Sequence, residues 1–185
     1  MRYQKITDNI FTIEEFWSND QCAAFIKKSE ELGYEEAKIE TDKGAKVVKS
    51  VRNNNRVLHN DVLLAEKIWV DLEPFAPKAI GLSKSIGLNE LFRFYRYEPG
   101  QEFKRHIDQS YIRNDKEASY YTFMIYLNEQ YEGGQTRFSN ISIEPKTGTA
   151  LIFLHSLEHE GSPVTRGVKY VLRSDIMYRL DEEIS

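Results

Sequence analysis

The spacing of apolar residues changes near residue 90, and the change divides the chain into two kinds of predicted structure. In the first part, Ser18 and Gln21 stand at the spacing of a capping box. Cys22, Phe25, Ile26 and Ser29 then fall on one helical face until Gly33 offers a stop. Asn60 or Asp61 can cap a second helix, in which Val62, Ala65, Ile68, Trp69 and Leu72 recur at helical spacing ahead of Pro74 and Pro77. Between them, Lys38 to Val57 is polar and reads as a strand or loop. The first half is therefore expected to be largely helical.

From Leu91 the pattern becomes one of strands. LFRFYRYE, ASYYTFMIYLN, GQTRFSN, ISIEP, GTALIFLH and GVKYVLRSDIMYRL are β-branched and aromatic runs separated by Gly, Pro, Asn and Asp. Runs apolar on both faces predict sheets packed on each other, with the N-terminal helices covering an outer face. The expected architecture is a mainly β, α+β fold with a double-sheet jelly-roll core. We find no repeat or linker, so residues 1–185 are expected to form one domain: 1–90 a mostly helical cover, 91–180 the core.

Composition narrows the partners. With 185 residues, 41% of them hydrophobic, the chain can bury a sizeable core, and a net charge of -4 offers no bulk field for nucleic acid. Cys22 is the single cysteine, which excludes an internal disulfide and a thiolate metal cluster and fits a reducing compartment. The N-terminal residues lack the pattern of a signal peptide, and no apolar run approaches the roughly 20 residues of a membrane helix. A cytoplasmic protein without a membrane partner is expected.

Any metal site must then use histidine and carboxylate. His106 and Asp108 are two apart, so in an extended strand both point to one side while Ile107 faces the other. A histidine from a distant strand would complete a two-His, one-carboxylate face with three open adjacent positions, a geometry suited to Fe(II). His159 and His155 are the rivals for that place. Lys169, ten residues after His159, could neutralise the far carboxylate of a dianionic co-substrate. By alternation, Thr122, Met124 and Tyr126 share one strand face, as do Lys169, Val171 and Arg173.

The stretch YEPGQEFKRHID, with Tyr97, Gly100, Phe103, His106 and Asp108, resembles the Fe(II)/2-oxoglutarate-dependent dioxygenases of the prolyl 4-hydroxylase type. YTFMIYLNEQYEGGQTRF is similar to the segment that follows in that family, and His159 with Lys169 is its closing motif. The resemblance covers about Leu91 to Tyr178, and departs from many collagen-type members in having Phe103 where they carry Tyr. It implies iron ligands His106, Asp108 and His159, and a clamp on 2-oxoglutarate by Lys169, with Tyr126, Thr136 and Tyr97 assisting. Fe(II), 2-oxoglutarate and O2 would be required, with ascorbate as an accessory reductant. The implied reaction hydroxylates an unactivated C–H bond and converts 2-oxoglutarate to succinate and CO2. With a carboxylate at Asp108 no ligand vacancy is left for chloride, which argues against halogenation.

Other readings stay open at this level. Tyr97 and Tyr126 also suit core tyrosines, Thr136 a turn, and Arg173 either a substrate contact or a partner for Asp175. Gln109 to Ser119 reads as a lid or a solvated connection, and Arg52 to Arg56 as a cavity mouth or a plain turn. A protein or peptide side chain, proline first, is the expected substrate. A small-molecule hydroxylase and a non-catalytic 2-oxoglutarate-binding module are the alternatives.

Overall fold

The computed structural model describes residues 1–37 and 51–181. The chain runs through β1 (Arg2–Thr7), β2 (Ile10–Glu14), α1 (Asn19–Leu32), β3 (Glu35–Glu36), β4 (Asn55–Asn60), α2 (Val62–Leu72), β5 (Ala79–Ile80) and β6 (Ser83–Leu88). It continues through β7 (Leu91–Tyr97), β8 (Phe103–His106), β9 (Ile112–Asn114), β10 (Glu117–Tyr126), β11 (Tyr131–Gly133) and β12 (Thr136–Arg137). The last strands are β13 (Ser142–Ile143), β14 (Ala150–Leu154), β15 (His159–Gly161), β16 (Val164–Gly167) and β17 (Lys169–Leu180).

Both helices form for the reasons their sequences state. Ser18 accepts from the Gln21 amide at 3.2 Å while the Gln21 side chain accepts from the Ser18 amide at 2.9 Å, so the capping box satisfies two free N–H groups at the start of α1. Gly33 ends that helix at φ +83°, a left-handed conformation that glycine enters without penalty. Asp61 caps α2 by accepting from the Leu64 amide at 2.9 Å. Val62, however, is exposed; the buried stripe of α2 is Ala65, Ile68 and Leu72.

Two facing sheets hold most of the strands, and β11 pairs with β16 in a separate two-stranded ladder. A major sheet runs β1-β2-β14-β10-β17-β7-β4-β3, with β9 pairing the start of β10, β6 pairing the end of β17 and β5 pairing β6, and a minor sheet runs β13-β12-β15-β8. Side-chain alternation then splits the apolar residues between two cores. Phe92, Phe94, Phe123, Ile125, Ile152 and Leu172 face outward beneath the helices, where Trp17, Cys22 and Ile68 cover them. Tyr95, Tyr97, Met124, Tyr126, Phe153 and Val171 face inward between the sheets. Each fully buried large side chain contributes roughly 1.5–3 kcal/mol. A strand buried on both faces explains why β7, β10 and β17 carry so few exposed positions.

The first half differs from expectation. It is not mostly helical: β1, β2, β4 and β6 are part of the major sheet, antiparallel to one another or to core strands. Asn55–Asn60 has a weak apolar pattern, but every residue of it pairs with β7, and that backbone ladder is what makes it a strand. The strand or loop expected over Lys38 to Val57 falls partly outside the described residues. Gln109 to Ser119 is likewise not a plain loop. Ile112–Asn114 pairs with β10, and Arg113 is held by Glu90 at 2.7 Å and Glu117 at 3.1 Å, which pins the segment rather than leaving it free to swing. No described helix is long and apolar enough to cross a membrane.

Candidate metal centre

His106 ends β8 and His159 begins β15, and the register places these two residues directly opposite each other in the minor sheet. Cross-strand neighbours lie about 5 Å apart, so strand pairing alone brings the two imidazoles together across 52 residues of sequence. Asp108 lies just beyond the end of β8, fixed there by its amide donating to the His155 carbonyl at 3.0 Å. One nitrogen from each histidine and one Asp108 oxygen all lie within 4.8 Å of one another.

The orientation of each ring is decided by a backbone carbonyl. His106 Nδ1 is 2.7 Å from the Lys104 carbonyl and His159 Nδ1 is 2.9 Å from the Leu157 carbonyl. A carbonyl can only accept, so Nδ1 carries the proton and Nε2 is left with its lone pair. Both Nε2 atoms face Asp108, at 3.5 Å for His106 and 3.8 Å for His159. Burial pushes His159 down to about 4, so it is an uncharged donor at neutral pH. Phe103 stacks on His106 with ring centroids 3.5 Å apart, and Phe153 meets His159 edge-on.

Behind the carboxylate sits a polar network. Burial alone would raise the Asp108 carboxyl, but Arg173 Nη2 at 3.1 Å, with His106, His159 and Thr122, holds it well below the usual range. An ionised carboxylate only accepts, so the Thr122 hydroxyl donates to it. The Thr122 oxygen is then free to accept from His155 Nδ1 at 3.0 Å, leaving His155 Nε2 to accept from the Ser119 hydroxyl at 3.0 Å. His155 therefore lies one residue removed from the centre, orienting Asp108 through Thr122. Of the two roles open to it in the sequence, substrate contact and Asp175 partner, Arg173 takes the second, bonding Asp175 at 3.2 Å, and it also borders the cavity.

A narrow cavity of ≈ 50 Å³ connects this cluster to Lys169, with Tyr97, Thr136 and Val171 among its walls. Lys169 is 3% exposed and donates to the Gly134 carbonyl at 2.6 Å, and no carboxylate pairs with it among the described residues. Burial pushes its ammonium down to about 7. Tyr97 and Tyr126 place their rings 5.2 and 5.6 Å from Lys169 Nζ. Tyr126 stands behind Thr136, donating to its hydroxyl at 2.7 Å, so Thr136 is the one that borders the cavity. Gly134 adopts φ +70°, and a Cβ there would lie 3.2 Å from Lys169 Cδ; the Gly-Gly turn is what lets the lysine pass.

The donor set suits a divalent transition metal: two imidazole lone pairs and one carboxylate on one side, with a cavity opening on the other. Of the residues expected from sequence, His106, Asp108, His159, Lys169, Thr136, Tyr97 and Arg173 border one cavity. The sequence does not single out Tyr95 and Arg93, and it leaves Arg52 to Arg56 open between a cavity mouth and a plain turn; Arg52 and Arg56 do border a cavity beside the centre. Tyr95 and Arg93 share the face of Tyr97 by alternation, a signal the sequence carries; the partners of Arg52 are not legible there, because they come from β7 and β8.

Comparison with known proteins agrees with this geometry. Residues 92–174 match the 2OG-Fe(II) oxygenase superfamily. A putative prolyl 4-hydroxylase of Acanthamoeba polyphaga mimivirus is 35% identical over 98 residues, 41% of this chain and 40% of that protein. A PKHD-type hydroxylase of Delftia acidovorans is 28% identical over 139 residues, 61% of this chain and 60% of that one. The matches thus span about half the length of these curated relatives. Among solved structures, the 2-oxoglutarate complex of a viral collagen prolyl hydroxylase from Paramecium Bursaria Chlorella virus-1 superposes with a TM-score of 0.66. It is 20% identical, covering 93% of this chain and 97% of that one. A Pseudomonas putida prolyl-4-hydroxylase gives 0.68 at 18% identity, over 92% and 93%. At such identity the likeness concerns the fold, a jelly roll with covering helices.

Proposed function

We propose that this chain is a 2OG-Fe(II) oxygenase of the prolyl 4-hydroxylase-like kind, and that it hydroxylates an unactivated C–H bond in a protein or peptide side chain, with proline as the first target. Superfamily membership implies Fe(II), 2-oxoglutarate and O2, and His106, Asp108 and His159 would hold the iron. Bound together, these supply the two-electron oxidation in which R–H, O2 and 2-oxoglutarate become R–OH, succinate and CO2.

The observation that supports this reading best is Lys169. A buried ammonium with no carboxylate partner among the described residues is costly by several kcal/mol unless an anion joins it. The far carboxylate of 2-oxoglutarate would be such an anion, held by Lys169 in the cavity that His106 and His159 also border. Tyr97 and Thr136 would direct it with hydroxyl donors, while Phe103, Met124, Phe153 and Val171 keep water out of the same space. Asp108, held by Arg173 and Thr122, fills the carboxylate position and leaves hydroxylation rather than halogenation as the outcome. A reducing, cytoplasmic setting fits the lone, buried Cys22.

Anaerobic addition of Fe(II) and 2-oxoglutarate should produce the visible charge-transfer absorption of a chelated keto acid. Proline-containing peptides should then stimulate succinate release in air. A folded, iron-loaded protein without that absorption would sink the co-substrate assignment.

A further inference from the structure

A second cavity of ≈ 400 Å³ shares His106, Asp108 and Arg173 with the first and is not bordered by Lys169. Its walls carry four guanidinium groups, from Arg52, Arg56, Arg93 and Arg173, against a single wall carboxylate, Asp108. The register of the major sheet produces this crowding: Arg56 stands opposite Tyr95, and Arg93 stands between Leu58 on one side and Arg173 on the other. Like charges placed side by side repel, so such a row persists only if anions meet it.

Two of the four are already matched. Arg173 bonds Asp108 and Asp175, and Arg93 bonds Asp175 at 3.0 Å. Arg52 and Arg56 have no carboxylate at ion-pair distance among the described residues, although Glu35 stands opposite Arg56 across β3 and β4 and acts on it from further away. Arg52 is 4% exposed, its guanidinium clamped between the rings of Tyr95 and Phe103 with 4.3 Å to each centroid. The rings occupy its two faces and Asn54 Oδ1 accepts from Nε at 2.6 Å, but among the described residues the buried Nη2 has no hydrogen-bond partner; neither has the buried Nε of Arg56. A buried N–H without an acceptor costs about 1–3 kcal/mol, more when charged. With the buried Nε of Arg173, three such groups line one cavity, and they point to a missing acceptor.

The placement says what the acceptor is for. Phe103 stacks on Arg52 with one face and on His106 with the other, so the unpaired guanidinium lies one ring away from the metal-binding histidine. Leu58 and Ile107, both well exposed, border the same cavity and offer apolar contact beside the charge. We infer that this cavity seats the substrate, and that the substrate presents a carboxylate to Arg52 and Arg56 close to the carbon that is oxidised. The inference rests on the oxygenase reading above. Tyr95 reports the same field: burial would raise its phenol, but Arg52, Arg173 and Arg93 bring it down to about 7.

The test uses the full chain loaded anaerobically with Fe(II) and 2-oxoglutarate, titrated by calorimetry. The probes are N-acetylproline, its amide, and two proline-centred pentapeptides differing only by Glu or Gln beside the proline. At least one acid should bind about tenfold or more tighter than its amide partner, the size of one charge-assisted pair. The acid that shows the preference tells whether the carboxylate is the substrate's own or a neighbouring side chain's. Arg56→Gln should erase the preference while the keto-acid absorption and the affinity for 2-oxoglutarate stay as in the parent. Arg52→Lys, which keeps the charge but not the fork, should reduce it. Equal or undetectable binding of acids and amides with the absorption intact overturns this inference alone. Inorganic phosphate outcompeting every carboxylate overturns the choice of anion, and a missing absorption overturns both this and the oxygenase reading.

Discussion

Arg173 stands 3.1 Å from Asp108 and 3.2 Å from Asp175, so one buried cation is shared between the carboxylate of the candidate metal centre and a carboxylate behind it. Thr122 and His155 complete the support around Asp108. The centre is thus built on a preorganised polar network of the major sheet, although two of its three ligands come from the minor sheet.

Removing that cation tests the arrangement. Arg173→Met leaves two buried carboxylates without their shared partner, a loss of about 3–5 kcal/mol in the metal-free protein. Saturating Mn(II) should recover part of this, because the ion supplies Asp108 with a new counter-charge. Urea denaturation with and without metal measures both. An equal loss in the two conditions would show that Asp108 does not depend on Arg173.

The two rival histidines should separate cleanly. His159→Ala removes a lone pair from the centre and should abolish stoichiometric Fe(II) binding without unfolding the chain. His155→Ala should keep one iron per chain at an affinity weaker by about tenfold, and lose about 1–3 kcal/mol of stability because the Ser119 and Thr122 hydroxyls lose their partner. Equilibrium dialysis against Fe(II) decides; the reverse pattern would make His155 the ligand.

Lys169 sets a pH dependence of known sign. Burial lowers its folded value to about 7, well below the ordinary value of a lysine, so the free protein releases this proton as pH rises through 7 while the unfolded chain keeps it. The stability penalty of burying the ammonium is therefore full below pH 7 and relieved progressively above it. A dianion needs the protonated form. Affinity for 2-oxoglutarate should be flat below pH 7 and fall about tenfold per unit above it, with proton uptake on binding at pH 8. Calorimetry in buffers of different ionisation enthalpy reads that uptake directly. Lys169→Ala should weaken 2-oxoglutarate far more than iron and remove the proton uptake.

Gly134→Ala should damage the co-substrate site selectively. The new Cβ would lie 2.9 Å from the Tyr131 ring and 3.2 Å from Lys169 Cδ at a backbone φ of +70°, so the turn and the lysine must both shift. About 1–3 kcal/mol of stability should be lost. Loss of 2-oxoglutarate affinity should accompany it, with iron binding kept. Co-substrate affinity unchanged would mean that the lysine can take another path.

The sequence by itself determined the parts of this protein that depend on neighbours along the chain. Ser18 with Gln21 specifies the start of α1, Asp61 the start of α2, and the doubly apolar runs of β7, β10 and β17 specify strands buried on both faces. His106 and Asp108 were readable as a pair because they are two residues apart, and the alternation of Lys169, Val171 and Arg173 already placed three side chains on one wall. What lay beyond reach depends on pairing between distant segments. Asn55–Asn60 is a strand because β7 lies beside it, not because of its own pattern, which is why the first half looked more helical than it is. Strand register brings His159, rather than His155, opposite His106, and it sets Arg52 and Arg56 against Tyr95 and Phe103. Local propensity acts over a few residues, whereas burial, ion pairing and an unpaired guanidinium are properties of what the folded sheets bring together, so only the tertiary structure could decide them.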